Sequence, residues 1–152
     1  MLQKDILRVN PLFEDLTDDD LDKVIEVIQQ KEFSAGCEIF DESMPGRELY
    51  IILKGKVRIM KATREGERQT LSVLKPGNFF GELSLLDGRK HSAMAEADEA
   101  STLLVITRQA LAQIEKNHPA VALKVIKNMA LKISGILREM NEKFMEMVNY
   151  MW

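Results

Sequence analysis

Residues 75–97 read KPGNFFGELSLLDGRKHSAMAEA, and the interpretation of the chain turns on them. Gly77 and Gly81 flank a short apolar segment containing Phe79 and Phe80. Gly81 is followed by Glu82, Leu83, Ser84, Leu85 and Leu86, enough for one helical turn before Gly88 ends it. A helix that begins directly after a glycine presents backbone N–H groups with no intrahelical partner, at the positive end of its dipole, and such a turn suits an anion. Glu82 in that place repels a phosphate unless its carboxylate faces something else, such as a hydroxyl pair. Arg89, Lys90 and His91 supply cationic donors close by. Amides, a carboxylate acceptor and a positive side chain together suit a ribose–phosphate group.

On either side of this stretch, short apolar or alternating runs recur at 38–40, 49–53, 57–60, 70–74, 93–97 and 102–106. Glycine or proline punctuates the gaps at Gly36, Pro45, Gly46, Gly55, Gly66, Pro76, Gly77 and Gly88. Strands of this length and spacing predict an antiparallel sandwich or barrel. The charged run KATREGER at 61–68 predicts a solvated hairpin tip around Gly66. Cys37 follows Gly36 in a predicted turn and reads as a small buried or neutral thiol.

Helices bracket the strands. Thr17 is a good N-cap with Asp20 three residues on, and Asp18, Asp19 and Asp20 place negative charge at the positive helix end. Leu21, Val24, Ile25 and Ile28 then form one apolar face. After residue 106 a short helix over 108–117 is predicted, and Pro119 opens a second one that runs toward Met151. Such a helix is about 48 Å long, whereas a globule of this chain length is roughly 38 Å across. It therefore overhangs its domain. Its apolar positions, among them Ile133, Leu137, Met140, Phe144, Met147 and Met151, advance mostly by three and four residues. A stripe of that kind beyond the globule predicts a homodimer through the C-terminal helix.

The 152 residues, 45% hydrophobic and 30% charged, fit one globular domain of α+β class, mainly β. Its parts are an N-terminal helical region (1–30), a β-roll (31–106) and C-terminal helices (107–152). A net charge of −3 argues against direct nucleic acid binding by this chain. A single cysteine excludes an intrachain disulfide, and two histidines with no nucleophile elbow or P-loop argue against an enzyme or a metal site. No run approaches the length of a membrane span and no apolar signal core opens the sequence, so the expected location is cytoplasmic.

The segment Phe80-Gly81-Glu82-Leu83-Ser84-Leu85 resembles the phosphate-binding cassette of the cyclic nucleotide-binding domains, found in catabolite-activator-type regulators, cyclic-nucleotide-dependent kinases and gated channels. Further landmarks of that family appear in order: Pro11-Leu12-Phe13 with Leu16, Gly36-Cys37-Glu38-Ile39, Leu49-Tyr50-Ile51-Ile52 before Gly55-Lys56-Val57, and Lys75-Pro76-Gly77. The resemblance implies a jelly-roll β-sandwich flanked by an N-terminal helix and a long C-terminal helix. It also implies an effector ligand, cAMP or cGMP, with no cofactor required. By this resemblance the amides around Gly81, Leu83 and Ser84 face the cyclic phosphate, Glu82 accepts from the ribose 2′-hydroxyl, and Ser92, beside Ala93, adds a donor. Residues of the long helix around 134–138, Arg138 among them, and the terminal aromatics Tyr150 and Trp152 are the candidates to meet the base. Closure of the long helix then carries the signal onward.

The chain departs from the pattern at one position: His91 stands where the family carries an arginine. An imidazole offers fewer donors than a guanidinium and titrates near neutrality. Loss of a charge-assisted bond of about 1.5–3 kcal/mol weakens binding by about 10- to 150-fold. Arg89 is the candidate to replace it. Several readings stay open: weakened or altered cyclic-nucleotide binding, another anion or small effector in the same pocket, a ligand-free dimerisation module, or a transcription regulator lacking its DNA-binding domain.

Overall fold

The computed structural model describes residues 2–151; for residues 2, 3 and 83 only the backbone is described. Two four-stranded antiparallel sheets face each other. Their strands are β1 (Gln29–Phe33), β2 (Glu38–Phe40), β3 (Glu48–Lys54), β4 (Val57–Ala62), β5 (Arg68–Leu74), β6 (Phe79–Phe80), β7 (Met94–Ala97) and β8 (Ser101–Thr107). One sheet runs β1-β8-β3-β6 and the other β2-β7-β4-β5. The helices are α1 (Leu2–Arg8), α2 (Asp18–Ile25), α3 (Glu82–Asp87), α4 (Arg108–Asn117) and α5 (Pro119–Met151), with a 3₁₀ turn at Pro11–Phe13. This is the jelly-roll-like sandwich with flanking helices that the sequence led us to expect.

The side-chain period of two explains the layering. In β3, Tyr50 and Ile52 point between the sheets while Leu49 and Ile51 point to the helices; β8 does the same with Leu103 and Val105 against Leu104 and Ile106. Both faces of these central strands are thus buried, and they read as continuous apolar runs. The helix-side core adds Leu7, Phe13, Leu21, Ile114, Val125 and Met129.

Strands β1 and β6 and helix α1 escaped the sequence reading. Strand β1, QQKEF, is a largely exposed edge strand that forms by pairing with β8, from Gln29 opposite Val105 to Phe33 opposite Ser101. Helix α1 is fixed by the fully buried Leu7 and by ion pairs from Lys4 to Asp22 (2.7 Å) and Arg8 to Asp18. Cys37 is a correction: it is exposed in the turn after β1, because Gly36 and Cys37 lie on the connection between edge strands rather than in the core. The tip at 63–67 is exposed as expected, with Thr63 N–H donating to the Glu67 carbonyl (2.7 Å). Among the described residues no helix is long and apolar enough to cross a membrane.

Thr17 and Asp20 close a reciprocal capping box on α2, and the Asp20 carboxylate also takes the Lys124 ammonium of α5 at 3.0 Å. That contact, and after it the hydrogen bond from the Thr17 backbone N–H, hold the Asp20 pKa below the usual carboxylate value. Helix α5 has 33 residues, about 50 Å, and only its first turns are anchored. Val121, Ala122, Val125, Asn128 and Met129 are buried, and none of its residues after Met129 is. The buried Asn128 amide donates to the carbonyls of Leu12 (3.0 Å) and Glu14 (2.9 Å), tying α5 to the 3₁₀ turn. Replacing Asn128 by Ala leaves these acceptors without that donor. We expect a loss of about 1–3 kcal/mol in urea unfolding, with the far-ultraviolet spectrum unchanged.

Candidate functional site

Strand β6 ends at Phe80, and Gly81 turns the chain into α3 with φ +88° and ψ 3°. A Cβ on Gly81 would sit 2.7 Å from the Glu48 carbonyl oxygen, so the position excludes side chains on two grounds: the left-handed backbone and the close approach of β3. No side chain caps α3. Among the described residues the N–H groups of Glu82 and Ser84 have no protein acceptor, as the first turn of a helix requires. Gly88, again left-handed, ends α3 with its N–H on the Ser84 carbonyl at 2.8 Å.

The return strand of the site is pinned from outside. His91 N–H donates to the Met44 carbonyl (3.1 Å) and Gly46 N–H to the Arg89 carbonyl (3.0 Å). A Cβ on Gly46 would fall 1.8 Å from the Ser84 Cβ, so the 41–47 loop lies directly on α3. The result is a cleft of about 140 Å³ lined by Phe40, Ile59, Phe80, Gly81, Glu82 and Ser84 on one side and by His91, Ser92 and Ala93 on the other.

Most of the residues picked from the sequence therefore meet in one place. Glu82, Ser84 and His91 are buried there, at 8%, 7% and 8% exposure. Leu83 contributes backbone within α3. Arg89 does not join them: it is exposed and off the cleft wall, with its N–H on the Asp87 carboxylate (2.9 Å). The side chain beside Ser92 is that of His91, stacked flat on Phe40 with ring centroids 3.6 Å apart and planes 12° apart. Burial pushes the imidazole pKa below its ordinary value, against the opposing charges of Asp41 and Glu48.

Residues 134–138 are exposed, none of them lines the cleft, and Tyr150 is fully in solvent. Trp152 lies outside the described residues. Among the described residues, Lys132 of α5 contacts the site at Glu82. Its ammonium is 3.6 Å from the Glu82 carboxylate, donates to the Phe79 carbonyl, and lies 3.7 Å over the Phe79 ring. Burial lowers the Lys132 pKa and the Glu82 charge opposes that shift. The sequence signal for Lys132 was faint, a basic residue next to an apolar stripe. Phe40 and Ile59 gave none beyond membership of strands.

A sequence profile of the cyclic nucleotide-binding domain matches residues 30–118. The chain is 34% identical over 133 residues to the cyclic AMP receptor protein of Thermus thermophilus, covering 88% of this chain and 60% of that one. It superposes on the crystal structure of a cyclic nucleotide-binding domain from Methylobacillus flagellatus with a TM-score of 0.82 at 27% identity, covering 91% of this chain and 78% of that one. A regulatory domain of Toxoplasma gondii PKA crystallised with cAMP gives 0.67 at 32% identity, covering 73% and 42%. The chain belongs to the cyclic nucleotide-binding domain family. It spans 60% of the length of the Thermus relative.

Gly81 and Gly36 allow the two costs at the turn to be separated, since Gly36 is also left-handed (φ +81°) but has nothing within 4 Å of the point where a Cβ would stand. Gly36→Ala should cost about 1–2 kcal/mol. Gly81→Ala should cost more by chemical denaturation and should also disturb the amide signals of residues 82–84.

Proposed function

We propose that this chain is a regulatory domain that binds a cyclic nucleotide in the cleft beside Gly81 and passes the ligand's presence to α5. The observation that carries this reading is the meeting, in one cleft, of the acceptor-free amides of Glu82 and Ser84 with the Glu82 carboxylate, His91 and Ser92. The amides and His91 face the phosphate, and Glu82 accepts from the ribose hydroxyl. A volume of about 140 Å³ lies below the roughly 300–1,000 Å³ of a pocket that engulfs a whole ligand. The sugar phosphate fills it, and the base stays at the mouth.

Lys132 gives the site its route outward. A ribose hydroxyl donating to Glu82 competes with the Lys132 ammonium for the same carboxylate, so ligand binding alters an ionic contact between the cassette and α5. Cyclic AMP is the first ligand to test, because the Thermus relative is a cyclic AMP receptor and the Toxoplasma domain was crystallised with cAMP. Calorimetry near pH 6 with cAMP and cGMP should give saturable binding. Glu82→Ala should weaken it by about 10- to 150-fold, the worth of a hydrogen bond to a charged group. Absence of heat at millimolar cAMP and cGMP would overturn the reading.

The distal half of α5 supports a second part of the proposal, a homodimer. Ile133, Leu137, Met140, Phe144, Met147 and Met151 follow one another by steps of four and three residues, the seam of a two-stranded coiled coil. Leu137, Met140, Phe144, Met147 and Met151 are 55–73% exposed, an apolar stripe that a second copy of the helix covers. Light scattering should report twice the chain mass for the native protein. The double replacement Leu137→Glu and Phe144→Glu should give a monomer with the same unfolding midpoint for the sandwich; a native monomer at high concentration removes this part of the proposal.

A further inference from the structure

The chemistry of His91 sets a condition on binding that a guanidinium at the same place does not. The side chain is more than nine-tenths buried and lines the anion cleft together with Gly81, Glu82, Ser84 and Ser92. Its backbone is held by Met44 and its ring plane by Phe40. Neither ring nitrogen has a hydrogen-bond partner among the described residues, yet no fully buried side-chain nitrogen or oxygen is left without one. The nitrogens are therefore not fully buried, and on a ring that lines the cleft a ligand atom can reach them. The ring is also the wall between this cleft and a second one that Lys31, Arg47, Glu48 and Tyr50 help to line.

The charges around the ring come from every element packed on it. The 41–47 loop brings Asp41 and Arg47, β1 brings Lys31, β3 brings Glu48 and Tyr50, and α3 brings Glu82. Lys31 is tied to Glu48 at 3.2 Å, and the Tyr50 hydroxyl donates to the same carboxylate at 2.5 Å. Glu82 is shared with Lys132. Burial around the ring disfavours the charged form of the imidazole.

We propose that His91 makes ligand binding proton-coupled: the cleft takes up one phosphodiester anion together with one proton, which protonates the imidazole, so affinity falls as pH rises. This rests on the cyclic-nucleotide reading of the cleft. The sign follows from linkage. The empty-site pKa lies below the ordinary value of about 6.5, and a bound anion raises it. Below both values, His91 is charged in either state and affinity is constant. Between them, binding draws one proton from solvent and the dissociation constant rises by up to about tenfold per pH unit. Above both, affinity settles at the weaker level of the neutral ring. The phosphodiester itself stays a monoanion throughout, so the slope belongs to the protein.

The test is calorimetric titration with cAMP from about pH 5 to about pH 8.5, in paired buffers of different ionisation heat. The expected result is binding at least tenfold weaker at the upper end, uptake approaching one proton near the midpoint, and a flat, tighter profile in His91→Arg. Proton NMR offers an independent readout, because only His91 and His118 carry imidazoles. The His91 midpoint, assigned with His118→Asn, should move to higher pH when cAMP is added. A pH-independent affinity in the native protein, or an equal slope in His91→Arg, overturns proton coupling while leaving nucleotide binding in place. If neither the native protein at about pH 5 nor His91→Arg binds cAMP or cGMP, the cyclic-nucleotide reading fails, and the coupling with it.

Discussion

Between Phe80 and Glu82 the chain has room for a hydrogen and nothing larger. The Glu48 carbonyl of the neighbouring strand stands 2.7 Å from where a Cβ would lie, and the backbone there is left-handed. This constraint lets a two-residue strand end and a six-residue helix begin with no residue between them but glycine. It also places the start of that helix, with the acceptor-free N–H groups of Glu82 and Ser84, on the cleft wall. The buried Leu85 and the loop pressed on Ser84 through Gly46 then hold the short helix in place, though its own few bonds would not.

The same cassette is where the two halves of the long helix divide. Up to Met129, α5 is part of the core, fixed by Asn128 on the 3₁₀ turn and by Lys124 on α2. Beyond Lys132 it has no buried residue. Lys132 sits at the boundary with three contacts to the segment 79–82, one of them ionic. A partly buried ion pair of this kind is poor evidence of added stability, since desolvation of both groups offsets their attraction.

Family membership and site chemistry bear on different questions here. The fold and the cassette align this chain with proteins whose names refer to cyclic nucleotides. The side chain beside Ser92, however, is a titratable imidazole stacked on Phe40 and not a permanently charged fork. Arg89 lies off the cleft wall, and His91 lines it beside Ser92.

The central strands, the hairpin tip, the capping box of α2 and the long helix were all legible in residue order. Each depends on a local period or on a cap within four residues of itself. Six of the eight strands announced themselves because their side chains alternate or run apolar; β1 and β6 did not, since QQKEF has no apolar period and a pair of phenylalanines is too short to show one. The sequence likewise determined which residue types form the cassette, as Gly81 through Ser84 and His91 through Ala93 lie within 13 positions. Only the tertiary structure decided that Phe40 and Ile59 wall the cleft, that Arg89 stays outside it, and that Lys132, fifty residues beyond Glu82, closes on its carboxylate. Those placements depend on how two sheets and a helix pack, and packing brings together residues whose separation along the chain carries no trace of the contact.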